Sequence, residues 1–187
     1  MLTRDLVLAA LFTAIIVVLG LLPPITLGFI PVPITAQSLG VMTAGVVLGA
    51  KRGTIAVLLV LLLAAIGLPV LSGGRGGLGV FAAPTTGYLI GWVAAAFVTG
   101  LASEKLVRAQ QSGLIQGIGF FVASLLGGVV VLYAFGVTYL ALVTGLGFSK
   151  AFLGSVAFIP GDVLKAVVAA LVGRAVMVGY PLLPQRA

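Results

Sequence analysis

Apolar residues along this chain form long uninterrupted runs, and short segments rich in proline, glycine or charge separate them. A helix needs about 20 predominantly apolar residues to cross a bilayer. A membrane-spanning β-strand instead alternates apolar and polar residues, and the runs here show no such alternation. The pattern therefore predicts an all-α protein with six membrane-spanning helices, which lie over residues 6–22, 35–50, 54–67, 83–102, 115–133 and 162–178.

The segments between the predicted helices differ in character. Residues 23–33 hold four prolines and no charge, which predicts a rigid, non-helical link. Residues 51–53 form a short basic turn, and residues 104–111 form the most polar loop of the chain. Residues 135–157 are moderately apolar and interrupted by glycines, so we expect a short helix and a loop that lie over the outer side. Residues 181–187 form a basic tail.

Composition supports the assignment to an integral membrane protein. Of the 187 residues, 61% are hydrophobic and 7% are charged, whereas a soluble domain carries about 25% charged residues. The length suits one domain over residues 1–187. Cysteine and histidine are both absent, which removes thiol nucleophiles, imidazole acid–base chemistry and the usual zinc ligands. Three acidic residues are a poor supply for a Mg²⁺ site, so we expect no enzyme, no metal and no cofactor.

The positive charges predict an orientation in the membrane rather than a nucleic-acid partner. The net charge is +7, but the ten cations are scattered between apolar runs and form no basic stripe with interleaved aromatic residues. If the chain crosses the membrane six times, three of the ten cations (Arg75, Lys150 and Lys165) fall on one side and the other seven fall on the opposite side. The cytoplasmic side of a membrane protein carries the excess of Lys and Arg. Both chain ends are therefore expected in the cytoplasm. The seven cations on that side are Arg4, Lys51, Arg52, Lys105, Arg108, Arg174 and Arg186.

One acid–base pair lies at the start of the last apolar run. Asp162 and Lys165 are three residues apart and share a helix face, so they can reach each other or a common ligand. Ionisable residues inside a membrane are costly and by default mark a functional site. Asp162 alone could simply cap the helix, since an acid in the first turn favours the positive helix end. Lys165 opposes that dipole and needs an anion or a strong acceptor.

The glycine-rich segment Leu71–Gly79 contains the spacing G-x-G-x-x-G, which occurs in dinucleotide-binding loops. That pattern has meaning only between a strand and a helix with an acid about 20 residues further on, and a membrane helix precedes it here. A covering or re-entrant loop is the more physical interpretation, because glycines let the backbone approach a ligand closely. Arg75 could then meet an anion. A solvated hairpin with a stray cation is the alternative.

Three further polar or aromatic side chains are candidates for a binding site. Gln37 stands near the end of a predicted span, where it could bind a ligand or form an interhelical hydrogen bond. Tyr88 and Trp92 are four residues apart on one helix face, which suits either an interfacial aromatic belt or the wall of a ligand pocket. The pocket interpretation favours Tyr88 over Trp92. On the first helix, Ala10 and Ala14 have the small-residue spacing that lets another helix approach closely, although internal packing would explain them as well.

Four motifs, in order along the chain, resemble the BioY family. They are P-V-P-I-T-x-Q-x-L-G at residues 31–40, G-G-x-G-G-L-G at 73–79, P-T-x-G-Y at 84–88 and F-I-P-G-D-x-x-K at 158–165. The resemblance extends over about residues 30–170. One departure is Thr86, where the family pattern leads us to expect a second glycine before Gly87.

The resemblance implies the substrate-binding (S) component of an energy-coupling-factor (ECF) vitamin transporter, specific for biotin. It implies the six-helix S-component fold in the bacterial cytoplasmic (inner) membrane, a transmembrane scaffold protein and two cytoplasmic ATPase subunits as partners, and biotin as substrate. A solitary biotin transporter without ATPases is the alternative. The resemblance also implies that Asp162 and Lys165 contact biotin, and that the glycine-rich loop, with Arg75, Gly76 and Gly77, covers the pocket.

Biotin has groups that suit these residues. Its ureido ring offers two N–H donors and a carbonyl, its thiophane ring is apolar, and its valerate chain ends in a carboxylate. Asp162 would accept from a ureido N–H, and Lys165 would donate to the ureido oxygen or to the carboxylate. Tyr88 and Gln37 would line the pocket. Either end of biotin could face the Asp162–Lys165 pair. On the first helix, Ala10 and Ala14 would contact the scaffold protein.

Overall fold

A computed structural model describes residues 3–183, and every regular element within this range is helical. Two isolated β-bridges, Ile25 with Ile34 and Leu71 with Arg75, are its only extended pairings in the described part. The all-α prediction is thereby confirmed. The α-helices are α1 (Thr3–Gly20), α2 (Gln37–Ala65), α3 (Thr86–Leu106), α4 (Gly113–Leu125), α5 (Leu132–Thr144), α6 (Phe148–Val156) and α7 (Ile159–Gly179), with a 3₁₀-helix at Leu78–Ala82 and a π-helix at Leu126–Val131.

Helix α2 consists of two halves, residues 37–48 and 50–65, which Gly49 separates. Gly49 has φ +80° and ψ −179°, a conformation open almost only to glycine. A Cβ placed on Gly53 would lie 2.8 Å from the carbonyl oxygen of Ala44, although nine residues of straight helix would separate them by about 13.5 Å. The chain therefore reverses at Gly49. The turn predicted at residues 51–53 is wrong by a few residues, since those residues already belong to the second half.

Residues 113–144 are helical without interruption: α4 and α5 continue into each other through the π-helix. The prediction that residues 135–157 lie as a short helix and loop is therefore wrong for residues 135–144. Gly136 does not break α5, because it packs against the ring of Tyr88 in α3. The short helix predicted in that range is present as α6, which joins α7 at a bend of 54°.

Several helices in the described range have the length and composition of membrane spans. Four of them, α1, α2, α3 and the continuous 113–144 helix, qualify on their own. The bent pair of α6 and α7 qualifies as a fifth if it forms one span. This count treats α2 as one helix, whereas its two halves run in opposite directions.

One end of the molecule, which we call the basic end, brings together the start of α1, the turn of α2 and the end of α7. The Arg52 Nε lies 2.8 Å from Asp5 Oδ1, and Arg52 also donates to the carbonyl of Leu182 at 3.0 Å. The guanidinium of Arg4 lies 5.3 Å from the ring centre of Tyr180. Four of the seven cations assigned to one side by the sequence, Arg4, Lys51, Arg52 and Arg174, belong to these segments, and Arg186 lies outside the described residues.

Candidate functional site

A cavity opens at the end of the molecule opposite the basic end. It encloses about 600 Å³ of space, with its open mouth included. Its walls come from the segment before α2, from α2, α3, α5 and α7, and from the glycine-rich loop. The lining residues are Val32, Pro33, Ile34, Thr35, Gln37, Ser38, Leu71, Arg75, Thr85, Tyr88, Leu89, Trp92, Leu132, Tyr133, Phe158, Asp162 and Lys165.

Asp162 faces this cavity from the first turn of α7 and is only 5% exposed. Lys165 donates to its Oδ1 at 2.9 Å, and the hydroxyl of Tyr133 donates to its Oδ2 at 2.6 Å. The carboxylate makes no capping hydrogen bond to its own helix. Asp162 does stand in the first turn, where an acid favours the positive helix end, but its two oxygens accept from side chains of the cavity wall.

The ammonium group of Lys165 has three protein acceptors. Besides Asp162, it donates to the carbonyl of Thr35 at 2.8 Å and to Ser38 Oγ at 2.9 Å. These bonds account for the three protons of the ammonium group. They fix Lys165 between α7 and the segment that leads into α2, so that a ligand would meet a positioned charge at the cavity surface.

Arg75 brings a second cation to the cavity from the glycine-rich loop. Its Nε donates to the carbonyl of Ser72 at 3.1 Å, and its Nη1 donates to Thr85 Oγ1 at 3.2 Å. No carboxylate within residues 3–183 forms an ion pair with it. The positive charge of Arg75 is therefore oriented by neutral groups and remains uncompensated at the cavity wall.

Gly76 and Gly77 do not line the cavity but give the loop its shape. A Cβ on Gly76 would collide with the backbone of Leu68, and Gly77 has φ +82°. The amide of Gly77 donates to the carbonyl of Ala64 at 2.7 Å, which ties the loop to the end of α2. Leu71 and Arg75 also exchange backbone hydrogen bonds of 3.0 and 3.1 Å. The loop is thus anchored at several points.

Gln37 lies at the cavity wall, 1% exposed, and its polar atoms bind the protein itself. Its Nε2 donates to the carbonyls of Ile16 at 3.1 Å and Val70 at 3.0 Å, and its Oε1 accepts from the amide of Ser72 at 2.8 Å. Gln37 therefore forms the interhelical hydrogen bond that the sequence offered as one of two alternatives. Gln37 connects α1, α2 and the glycine-rich loop.

Tyr88 and Trp92 both lie at the cavity, and both are buried, at 9% and 6% exposure. This burial does not suit an aromatic belt at the lipid boundary. The hydroxyl of Tyr88 shares a 2.9 Å hydrogen bond with Ser155 of α6, and its ring meets that of Tyr133 edge-on at 6.4 Å. Trp92, which the sequence pattern favoured less than Tyr88 as a pocket residue, lines the cavity as well.

Sequence reasoning did not single out Tyr133, Thr35 or Ser38, although all three contact the Asp162–Lys165 pair. Thr35 and Ser38 stand within the motif at residues 31–40, which offered a signal for them. Ala10 and Ala14 were assigned to a partner contact, and both are exposed on α1, away from the cavity lining.

Comparisons with known proteins agree on one family. The sequence matches the profile of the BioY family over residues 1–181. The "Biotin transporter BioY" of Rhizobium etli is 77% identical, with 99% of each chain covered. The protein of the same name from Rhodobacter capsulatus is 52% identical, with 92% of this chain and 93% of that protein covered.

A solved structure agrees with these matches. The crystal structure of the S-component for biotin from an ECF-type ABC transporter superposes with a TM-score of 0.90 at 36% identity, and 97% of each chain is covered. This match confirms the S-component fold. Together with the apolar helices, the matches to transporters identify a multi-pass membrane protein.

Proposed function

This chain belongs to the BioY family, and from that membership we propose that it binds biotin and takes it up across the bacterial cytoplasmic membrane. It would do so as the S component of an ECF-type transporter, coupled to a transmembrane scaffold protein and two ATPase subunits. The chain is not an enzyme, since its relatives are transporters. The observation that carries the proposal is the hydrogen-bonded group of Asp162, Lys165 and Tyr133 at the wall of a largely apolar cavity.

We place the ureido ring of biotin at Asp162. The carboxylate of Asp162 can accept a ureido N–H, whereas it would repel the valerate carboxylate. The uncompensated guanidinium of Arg75 suits the valerate, because Arg binds carboxylates through charge-assisted, often bidentate hydrogen bonds. The rings of Trp92 and Tyr88 would pack against the apolar thiophane ring and valerate chain.

The binding experiment is a calorimetric titration of the purified protein with biotin. Lys165→Ala leaves Asp162 without its ion-pair partner, so we expect the affinity to fall by at least about a hundredfold, a loss of roughly 3 kcal/mol. Lys150→Ala is the matched control, since Lys150 is an exposed cation of α6 outside the cavity lining. Affinity at the wild-type level in Lys165→Ala would remove this residue from the site.

The orientation of biotin is tested in the same titration with biotinamide, in which a neutral amide replaces the carboxylate. The wild-type protein should prefer biotin, and Arg75→Gln should lose that preference while it keeps the weaker binding of the amide. A preference for biotin that survives in Arg75→Gln would place the carboxylate elsewhere.

For the membrane topology we propose six crossings with both chain ends in the cytoplasm. Six crossings follow if the halves of α2 cross separately and the bent pair of α6 and α7 crosses once. The basic end then faces the cytoplasm, in keeping with the excess of Lys and Arg on that side. The cavity opens to the outside.

Coupling to a scaffold protein is supported by the exposed face of α1 that contains Ala10 and Ala14. Small residues let a partner helix approach closely, and a bulky side chain would prevent it. In cells that contain the scaffold and the ATPases, Ala14→Trp should reduce biotin uptake severalfold and leave biotin binding unchanged. Val130→Trp, at an exposed position far along the chain, is the control. If Ala14→Trp takes up biotin as well as the wild-type protein does in cells without the ATPases, a solitary transporter would be favoured.

A further inference from the structure

A second concave surface lies on the exposed side of α4 and α7, and it shares no lining residue with the biotin cavity. It encloses about 670 Å³, its open side included, and all but one of its lining side chains are apolar or absent. We call it the α4–α7 groove. Its lining residues are Gly113, Leu114, Gly117, Ile118, Phe121, Val167, Ala170, Leu171 and Arg174.

The groove owes its depth to a missing side chain in the middle of an apolar wall. A Cβ placed on Gly117 would have no atom within 4 Å, so the space above this residue is open. Leu114, Ile118 and Leu171 stand exposed around it, at 74%, 54% and 62%. From Gly113 to Phe121 the groove follows about 12 Å of α4, at 1.5 Å per residue. An extended hydrocarbon chain is compatible with these dimensions and this lining.

Arg174 supplies a charge at the basic end of the groove. It is exposed, its guanidinium covers Gly113 at the start of α4, and no hydrogen bond or ion pair to it is formed within residues 3–183. The three acidic residues of the chain have other partners. Asp5 pairs with Arg52, Glu104 accepts from the amide of Ala50, and Asp162 pairs with Lys165. Within residues 3–183, no carboxylate is therefore left to pair with Arg174.

An apolar groove that ends at an unpaired guanidinium is complementary to a phospholipid with a negatively charged headgroup. Arg binds phosphate oxygens with charge-assisted hydrogen bonds, and the first amide groups of a helix such as α4 also favour an anion. Basic pockets between helices on the cytoplasmic side of membrane proteins bind anionic headgroups in this way. We propose that the α4–α7 groove binds one anionic phospholipid, with an acyl chain over Gly117 and the phosphate at Arg174. This site is independent of the biotin cavity.

The test is native mass spectrometry of the delipidated, detergent-purified full chain with phosphatidylglycerol or phosphatidylcholine. The wild-type protein should retain one phosphatidylglycerol and bind phosphatidylcholine at least about tenfold more weakly. Arg174→Gln should weaken phosphatidylglycerol binding about tenfold and remove most of the preference for it. Lys51→Gln is the matched control, because it removes one exposed charge of the basic end outside the groove.

A second variant tests the acyl-chain position. Gly117→Leu adds a side chain that fills the groove, and its Cβ would have no atom within 4 Å. The fold should therefore persist while phosphatidylglycerol retention is lost. Biotin binding by this variant should remain unchanged, which also shows that it is folded. Equal losses in Lys51→Gln and Arg174→Gln, or full retention in Gly117→Leu, would overturn the proposal. One further result would overturn the proposal: the wild-type protein does not retain phosphatidylglycerol, and Gly117→Leu disrupts a complex with the scaffold protein. The groove would then be a contact with that protein.

Discussion

At the scale of single residues, Asp162 accepts from two donors that reach its two oxygens from different helices. Lys165 comes from the same helix, and Tyr133 comes from α5. A buried charge without such partners would cost several kcal/mol. The oxygen lone pairs that these donors leave free can accept a ligand N–H. The arrangement therefore both gives the buried carboxylate hydrogen-bond partners and orients it towards the cavity.

The hydroxyl of Tyr133 gives a prediction at this scale. Tyr133→Phe removes one hydrogen bond to a charged group, a contribution of about 1.5–3 kcal/mol, and loosens the position of Asp162. We expect the dissociation constant for biotin to rise about ten- to hundredfold in a calorimetric titration.

Tyr139→Phe is the control for that change, because Tyr139 packs against Gly87 and does not line the cavity. Equal affinities of Tyr133→Phe and the wild-type protein would mean that Asp162 does not depend on this donor.

Some of these residues could be predicted from the sequence and others could not, and the reasons are physical. Asp162, Lys165 and Arg75 were visible because charges are rare in an apolar chain and require partners. Tyr133 was hidden, since a tyrosine at the end of an apolar run is as common at a membrane boundary as in a pocket. The motif at residues 31–40 marked the segment that contains Thr35, but not its carbonyl as the acceptor, because a main-chain acceptor does not depend on the residue type.

At the scale of the elements, Gly49 determines how α2 is folded. Its φ of +80° reverses the chain, and the backbone of Gly100 in α3 packs directly against Gly49 and Ala50 at this point. A side chain at either glycine would disturb the reversal or separate α2 from α3. The turn therefore depends on two glycines that are far apart in the sequence.

Substitution of Gly49 should reduce stability. Gly49→Ala forces an alanine into a conformation that costs about 1–3 kcal/mol. We expect the melting temperature of the purified protein to fall by roughly 2–12 °C, as a chain of this size loses about 2–4 °C per kcal/mol.

Gly79→Ala is the comparison for this substitution, because a Cβ there meets no atom within 4 Å and its φ lies outside the left-handed region. A melting temperature unchanged in Gly49→Ala, or lowered equally in Gly79→Ala, would contradict this account of the turn.

Hydrophobic runs predicted the helices well, and their interruptions predicted the turns poorly. The basic residues Lys51 and Arg52 mark the edge of the predicted membrane region, but the reversal itself occurs at Gly49, where the backbone permits it. Glycines in residues 135–157 suggested a broken segment. Gly136 is instead a contact, since its missing side chain admits the ring of Tyr88. Sequence alone does not distinguish a glycine that breaks a helix from one that packs against a neighbour.

At the scale of the whole molecule, the cations separate towards its two ends. The basic end gathers the segments with Arg4, Lys51, Arg52 and Arg174, and the cavity end has Arg75 and Lys165. The proposed six crossings orient this separation so that the excess of positive charge faces the cytoplasm. The absence of cysteine makes the orientation directly measurable.

Single cysteines introduced at each end test this topology. In intact cells, Lys150→Cys should react with a membrane-impermeant maleimide, and Lys51→Cys should react only after the membrane is made permeable. Both positions are exposed, so access to the reagent depends on the side of the membrane. The cysteine-free wild-type protein is the unlabelled control. Labelling of Lys51→Cys before permeabilisation would reverse the proposed orientation.

The hydrogen bond from Lys165 to Thr35 joins positions that are 130 residues apart in the chain. During synthesis, the wall formed by residues 32–38 is made before α7. The binding site therefore cannot exist in a chain that lacks α7, and a vitamin molecule cannot be captured before α7 has been delivered to the membrane. A ligand that bridges the two segments would also strengthen this long-range contact, since binding to the native state alone stabilises that state.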